Sequence, residues 1–187
     1  MCDRSWFARE ADIVASELLN KVLRVETADG VASARIIETE AYLPDDPASH
    51  AFNGRTDRNR VMFGSAGHLY VYLSYGIHRC ANVVTGADGS GQAVLLRAVV
   101  PLDGIDVMRV RRGRADRELC NGPGKLCQAL GIELAHDGVD LVGGSATSIE
   151  DDGVAPPVAP IVGPRIGISK AVDAPLRFRV PPTSPRR

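Results

Sequence analysis

The segment VLRVETADGVASARIIETEAYL, residues 22–43, constrains the fold more than any other: two strand-forming runs are separated by little more than Asp29-Gly30. An Asp-Gly step between such runs is the strongest short hairpin signal in the chain. Its second strand carries two acids, Glu38 and Glu40. Side chains alternate between the faces of a strand, so Glu38, Glu40 and Tyr42 share one face while Ile37, Thr39 and Ala41 take the other.

Before this hairpin, residues 7–20 place Ala11, Val14, Ala15 and Leu18 on one helical stripe, with Asn20 as a left-handed stop. After it, residues 43–60 are rich in Pro, Asp, Asn and Gly and read as a long loop, and a long loop inside a compact domain is usually functional. GHLYVYLSYGIHRCANVVT reads as two strands meeting around Tyr75-Gly76-Ile77-His78, with Tyr70, Tyr72 and Ser74 on one face. QAVLLRAVV is a strand apolar on both faces, interrupted by Arg97 and ended by Pro101.

PLDGIDVMRVRRGR predicts a short helix. NGPGKLCQALG predicts another, with Pro123 in its first turn and Gly131 at its end. Short strands are expected near 139–142, 145–149, 165–169 and 176–180, and a frayed tail from about 181. The fold class is therefore α+β: a curved, mostly antiparallel sheet with helices packed to one side.

At 187 residues, 44 % hydrophobic and 24 % charged, the chain suits one well-filled core, so a single domain over 1–187 is expected. It lacks the roughly eighteen uninterrupted apolar residues of a membrane span, and its first residues carry charges where a signal peptide is apolar, so a cytoplasmic location is expected. Cys2, Cys80, Cys120 and Cys127 form no C-x-x-C pair, which excludes a zinc knuckle or iron–sulfur run and leaves reduced thiols; no metal or organic cofactor is expected. The net charge of -1 does not announce a nucleic-acid partner, but charge is unevenly spread. Arg55, Arg58 and Arg60 cluster, as do Arg109, Arg111, Arg112, Arg114 and Arg117, whereas residues 133–152 contain no Lys or Arg.

Three features point to chemistry. A carboxylate and an aromatic ring stand side by side at Glu40 and Tyr42. Arg97 interrupts an apolar strand, where an unpartnered buried charge would cost several kcal/mol, so it should face a carboxylate or a polar cleft. Tyr75 occupies a hairpin tip, a place that favours Gly, Asn or Asp. Each alone has an ordinary structural reading; together they mark a site.

The blocks ARIIETEAYL, ASHAFNGRTDRNRVMF, GHLYVYLSYGIHRCANVV, AVLLRAVVPLDG, DRELCNGPGKLCQALGI and PRIGISKAVDAPLRF resemble, in order, successive blocks of the alkyladenine (3-methyladenine) DNA glycosylase family. The resemblance spans roughly residues 7–180. It implies a monofunctional glycosylase that flips alkylated or deaminated purines from duplex DNA and hydrolyses the N-glycosidic bond, leaving an abasic site. By the same resemblance Glu40 activates the attacking water, Arg97 helps hold Glu40 and the water, and Tyr42, His50 and Tyr72 form the base pocket. Asn82 excludes the amino group of guanine, Tyr75 is the wedge that fills the vacated stack, and Arg58, Arg60 and Lys125 contact phosphates. Flat rings suit a cationic alkylated purine, and a hairpin-tip tyrosine suits the minor groove.

Three departures from the family pattern bear on lesion preference: a shorter 43–49 loop, His78 after the wedge, and Asn20 in place of a glycine. Two other readings compete. One is a damage-binding module without catalysis; the other is a carbohydrate hydrolase using Glu38 and Glu40 as a carboxylate pair. The expected partner is double-stranded DNA bearing damaged purines, bound by a monomer.

Overall fold

The computed structural model describes residues 2–143 and 146–182. Two short helices open the chain: α1 (Arg4–Phe7), capped by the Asp3 carboxylate accepting from the Trp6 N–H at 2.9 Å, and α2 (Ala11–Glu17). The helix expected over 7–20 is thus shortened to Ala11–Glu17, with α1 a separate turn before it. The carbonyls of Phe7 and Arg9 accept from Gly86 N–H, and the Ala11 N–H donates to Gln92 Oε1, so partners outside the helix satisfy the backbone between them. The apolar stripe survives the shortening: Ala11, Val14, Ala15 and Leu18 are all fully buried. Asn20 closes it at φ 71°.

Eight strands form one antiparallel sheet among the described residues: β1 (Val22–Thr27), β2 (Gly30–Tyr42), β3 (Leu69–Ser74), β4 (His78–Thr85), β5 (Gln92–Asp103), β6 (Thr147–Glu150), β7 (Ile161–Gly163) and β8 (Arg177–Arg179). The order is β3-β4-β5-β2-β1-β6, with β8 paired to β2 and β7 to β8. β2 is the spine. It pairs with β1 through residues 30–35, with β8 through Glu38–Glu40, and with β5 over most of its length. The expected hairpin forms with Thr27 opposite Gly30, so its tip is Ala28-Asp29.

The β2–β5 pairing is interrupted at the acids. Glu38 lies opposite Ala98 and Thr39 opposite Leu96, which leaves Arg97 as an extra residue on β5; Ile37 is the extra residue on β2. Such bulges bend a sheet and re-aim side chains.

The two faces of the sheet are buried differently. On one, Val71, Val83, Val94 and Leu96 pack with Leu18 and Phe7 and with residues of α3 (Ile105–Arg112) and α4 (Pro123–Leu130), such as Met108 and Leu126. On the other, the alternate residues Tyr70, Val84 and Ala93 pack with Ala51 and Met62 beneath the 43–63 segment. α4 begins at Pro123 and ends at Gly131 in the left-handed conformation, as expected.

Three expectations need correction. β5 runs past Pro101 to Asp103, because its β4 partner covers only Gln92–Leu95 and the missing N–H falls where no inner ladder requires it. No strand forms at 165–169; the strand lies earlier, at Ile161–Gly163, and the later residues turn inward as a loop. At 139–142 there is only an isolated bridge, His68 to Asp140. Part of the expected 145–149 strand appears as β6, with Ser145 outside the described residues, as are residues 183–187 of the expected tail. All four cysteines are buried free thiols. No described helix is long and apolar enough to cross a membrane.

Candidate active site

A cleft of about 710 Å³ opens on the sheet face that carries Tyr70 and Ala93, and Arg112 of α3 with Pro123, Gly124 and Lys125 of α4 also line it. Its lining includes Tyr42, His50, Tyr72, Asn82, Arg97 and Tyr75, contributed by β2, the 43–60 loop, β3, β4, β5 and the β3–β4 turn. Residues two apart on each strand supply it, as alternation requires: Tyr70 and Tyr72, Ala93, Leu95 and Arg97.

Glu40 lies behind this lining with no solvent exposure. Its Oε2 accepts from the Tyr42 hydroxyl at 3.0 Å and lies 3.3 Å from Arg97 Nη1; its Oε1 accepts from the Ile166 N–H at 2.8 Å. A carboxylate offers about four lone-pair directions, so these three contacts leave one. Arg97 is shared: its Nε stands 3.3 Å from Glu38 Oε1, which also accepts from Arg177 Nε at 2.5 Å. An alternating chain Arg177–Glu38–Arg97–Glu40 results, and the bulge at Arg97 is what turns the guanidinium onto both acids.

The aromatic residues form a graded wall. Tyr70 and Tyr72 stack with centroids 5.6 Å apart, and His50 packs edge-on against Tyr72 at 4.5 Å, leaving no room for a third ring between those two. His50 Nδ1 lies 3.1 Å from the Tyr70 hydroxyl. Burial, with the positive charge of Arg58, holds the His50 pKa below its ordinary value and so favours the neutral ring. Burial pushes the Tyr70 hydroxyl up to about 12, and pushes those of Tyr42 and Tyr72 higher still. These three are therefore protonated donors at any physiological pH. The Asn82 amide donates to the Tyr70 carbonyl at 3.1 Å, which fixes its orientation against the cleft.

At the mouth, Tyr75 stands 89 % exposed with φ 51°, and Ile77 beside it is 68 % exposed. Arg58, Lys125 and Arg112 line the same opening. Arg58 donates to the Leu73 carbonyl and Lys125 to Asn121 Oδ1. Arg60 is exposed but does not line the cleft. The second arginine cluster is largely spent within the protein: Arg109 bridges Asp106 and Asp116, and Arg111 bonds Thr27 and the Ala129 carbonyl. Among the described residues, no three His, Cys, Asp or Glu side chains converge as a metal site.

The sequence model of the methylpurine-DNA glycosylase family matches residues 5–184. The chain belongs to this family. Among methylpurine-DNA glycosylase relatives, a protein of Burkholderia orbicola (strain MC0-3) is 52 % identical over 182 residues, covering 95 % of this chain and 86 % of its own. One from Agrobacterium fabrum is 52 % identical over 185 residues, covering 94 % and 86 %, and one from Carboxydothermus hydrogenoformans is 48 % identical over 179 residues, covering 94 % and 92 %. All three are provisionally named 3-methyladenine DNA glycosylase.

The sequence pattern gives the segment expected as a strand at 165–169 no role in the site. Residues 166–170 line the cleft, with Lys170 at its edge, and Arg165 beside them is fully buried. The block PRIGISKAVDAPLRF carried the family resemblance, yet nothing local marks Arg165 as interior. Its partner Asp46 is 119 positions away.

Proposed function

We propose that this methylpurine-DNA glycosylase excises alkylated and deaminated purines from duplex DNA by hydrolysis, with Glu40 as the general base. The observation that carries the reading is the state of Glu40: fully buried, held on both oxygens, and left with one free acceptor direction beside an aromatic cleft. A water bonded there would be oriented and deprotonated as it attacks the sugar carbon. The carboxylate would also oppose the positive charge that develops on the sugar as the base departs.

Tyr42, Tyr72 and His50 line the cleft proposed to take a flipped base, with Asn82 at its wall. Arg97 orients Glu40 and balances its charge. Glu38, hydrogen-bonded to Arg177 and ion-paired with Arg97, anchors that arginine and is poorly placed to donate a proton, which speaks against a two-carboxylate sugar hydrolase. Tyr75 enters the vacated stack from the minor groove, and Arg58, Arg60 and Lys125 meet phosphates.

The test is a duplex bearing one hypoxanthine or one methylated purine, incubated in chelator with wild type or Glu40→Gln and then treated with alkali. Abasic product from the wild type alone supports hydrolysis through Glu40. If neither protein releases any of several lesions while both bind them, the chain is a damage-binding module instead. Omitting the alkali checks for strand cleavage; an intact strand is expected of a simple hydrolase.

A further inference from the structure

A deeply buried ion pair lies one step beyond Glu40. The Arg165 side chain has no solvent exposure and that of Asp46 only 4 %. Arg165 Nη2 donates to Asp46 Oδ1 at 3.0 Å and Nη1 to Asp46 Oδ2; Nη1 also donates to the Ala41 carbonyl at 3.0 Å. The guanidinium carbon sits 4.6 Å from the centre of the Tyr42 ring. Burying such a pair forfeits the hydration of both ions, and apolar residues of similar volume often serve stability as well or better. Here the exchange is incomplete, since Arg165 Nε is buried without a partner.

What the pair does hold is geometry. It ties the 43–60 loop to the 164–170 segment, and it grips both sides of Glu40. Ile166, next to Arg165, donates its N–H to Glu40 Oε1. Tyr42, beneath the guanidinium, donates its hydroxyl to Glu40 Oε2. We infer that Arg165 and Asp46 are positioning residues that set the orientation of the Glu40 carboxylate and the tilt of the Tyr42 ring, and so the rate of base release. The inference rests on Glu40 acting as the general base. Neither Arg165 nor Asp46 lines the cleft, so their effect passes through Ile166 and Tyr42.

A misplaced water should matter most where the leaving group is poor. A purine methylated on a ring nitrogen departs as a neutral base from a cationic nucleotide, whereas hypoxanthine starts neutral, leaves as an anion that takes its proton from water, and depends more on the nucleophile. The pair should therefore control excision of hypoxanthine more than that of a cationic purine.

The experiment measures single-turnover release of hypoxanthine, and of methylated purine from DNA treated with a methylating agent, by wild type, Asp46→Asn, Arg165→Lys, Arg165→Gln and Glu40→Gln. Binding of an abasic duplex and melting temperature are read alongside. Asp46→Asn keeps the shape and removes the charge, so it decides the matter if Arg165→Gln folds poorly. The expected result is a fall of roughly 10- to 100-fold in hypoxanthine release with a clearly smaller fall for methylated purine, near-unchanged abasic-duplex affinity, and partial rescue in Arg165→Lys. Wild-type hypoxanthine release by Asp46→Asn overturns the inference, as do equal losses on both substrates that track the folded fraction. A Glu40→Gln enzyme with wild-type rates removes the reading of Glu40 itself, and is recognised without any change at Asp46.

Discussion

Inside the cleft, Glu40 has no contact with solvent and both of its oxygens are bonded, whereas 89 % of Tyr75 at the opening is exposed on a backbone that tyrosine seldom adopts. The inner residue is held by groups from β2, β5 and the 164–170 segment; the outer one rides on a three-residue turn. The contrast separates two tasks. Chemistry on a fixed atom needs a carboxylate that does not wander, and the protein supplies that restraint itself. An exposed ring in the left-handed region is uncompensated within the protein, and under the proposed function its compensation comes from the duplex it enters.

The sharpest way to break this contrast is Glu40→Gln, expected to lower single-turnover excision by about 10²- to 10⁴-fold while duplex binding persists. Arg97→Met should come next. It strands two acids near one another without their shared cation, costing about 3 kcal/mol of stability in urea unfolding and lowering excision as well. Tyr75→Asn sharpens the contrast from the other end. Asparagine tolerates positive φ, so melting should rise by roughly 2 °C or more, while lesion binding, read by fluorescence titration, weakens by roughly 1–3 kcal/mol. A stabler protein that binds less well is the signature of a strained side chain kept for its partner.

The smallest effect concerns His50. Its folded pKa lies below the ordinary value, so near and below about pH 6.5 the unfolded chain binds a proton that the folded chain resists. Its contribution to stability is therefore present at pH 7.5 and falls on acidification. His50→Gln should flatten that part of the profile, measured by unfolding at pH 5.5 and 7.5.

Much of this was legible in the sequence, for identifiable reasons. The buried stripe of α2, the β1–β2 hairpin, the β3–β4 turn at Tyr75 and the limits of α4 at Pro123 and Gly131 are set by local periodicity and by residues with special backbone preferences. The pairing of Arg97 with Glu40 followed from the oddity of a charge in an apolar strand together with the family resemblance. What stayed hidden was long-range. The bulge that aims Arg97 arises from register between β2 and β5, which neither strand states alone. Residues 165–169 read as a short strand because their interior role depends on Asp46 and Glu40, more than a hundred residues upstream. The shortening of the first helix likewise depends on Gly86 and Gln92. Local rules see a residue's own preferences and miss a partner that claims its hydrogen bonds from elsewhere in the chain.

The four cysteines gain meaning from the substrate class. Each is buried, and burial raises the pKa of every thiol, that of Cys120 to about 11. The thiolate is the form that attacks electrophiles. Agents that methylate purines would attack exposed thiolates in the same way, so a repair protein carrying them would be inactivated by the very dose that creates its work. With its four thiols buried and held protonated, this chain offers such agents little reactive thiolate.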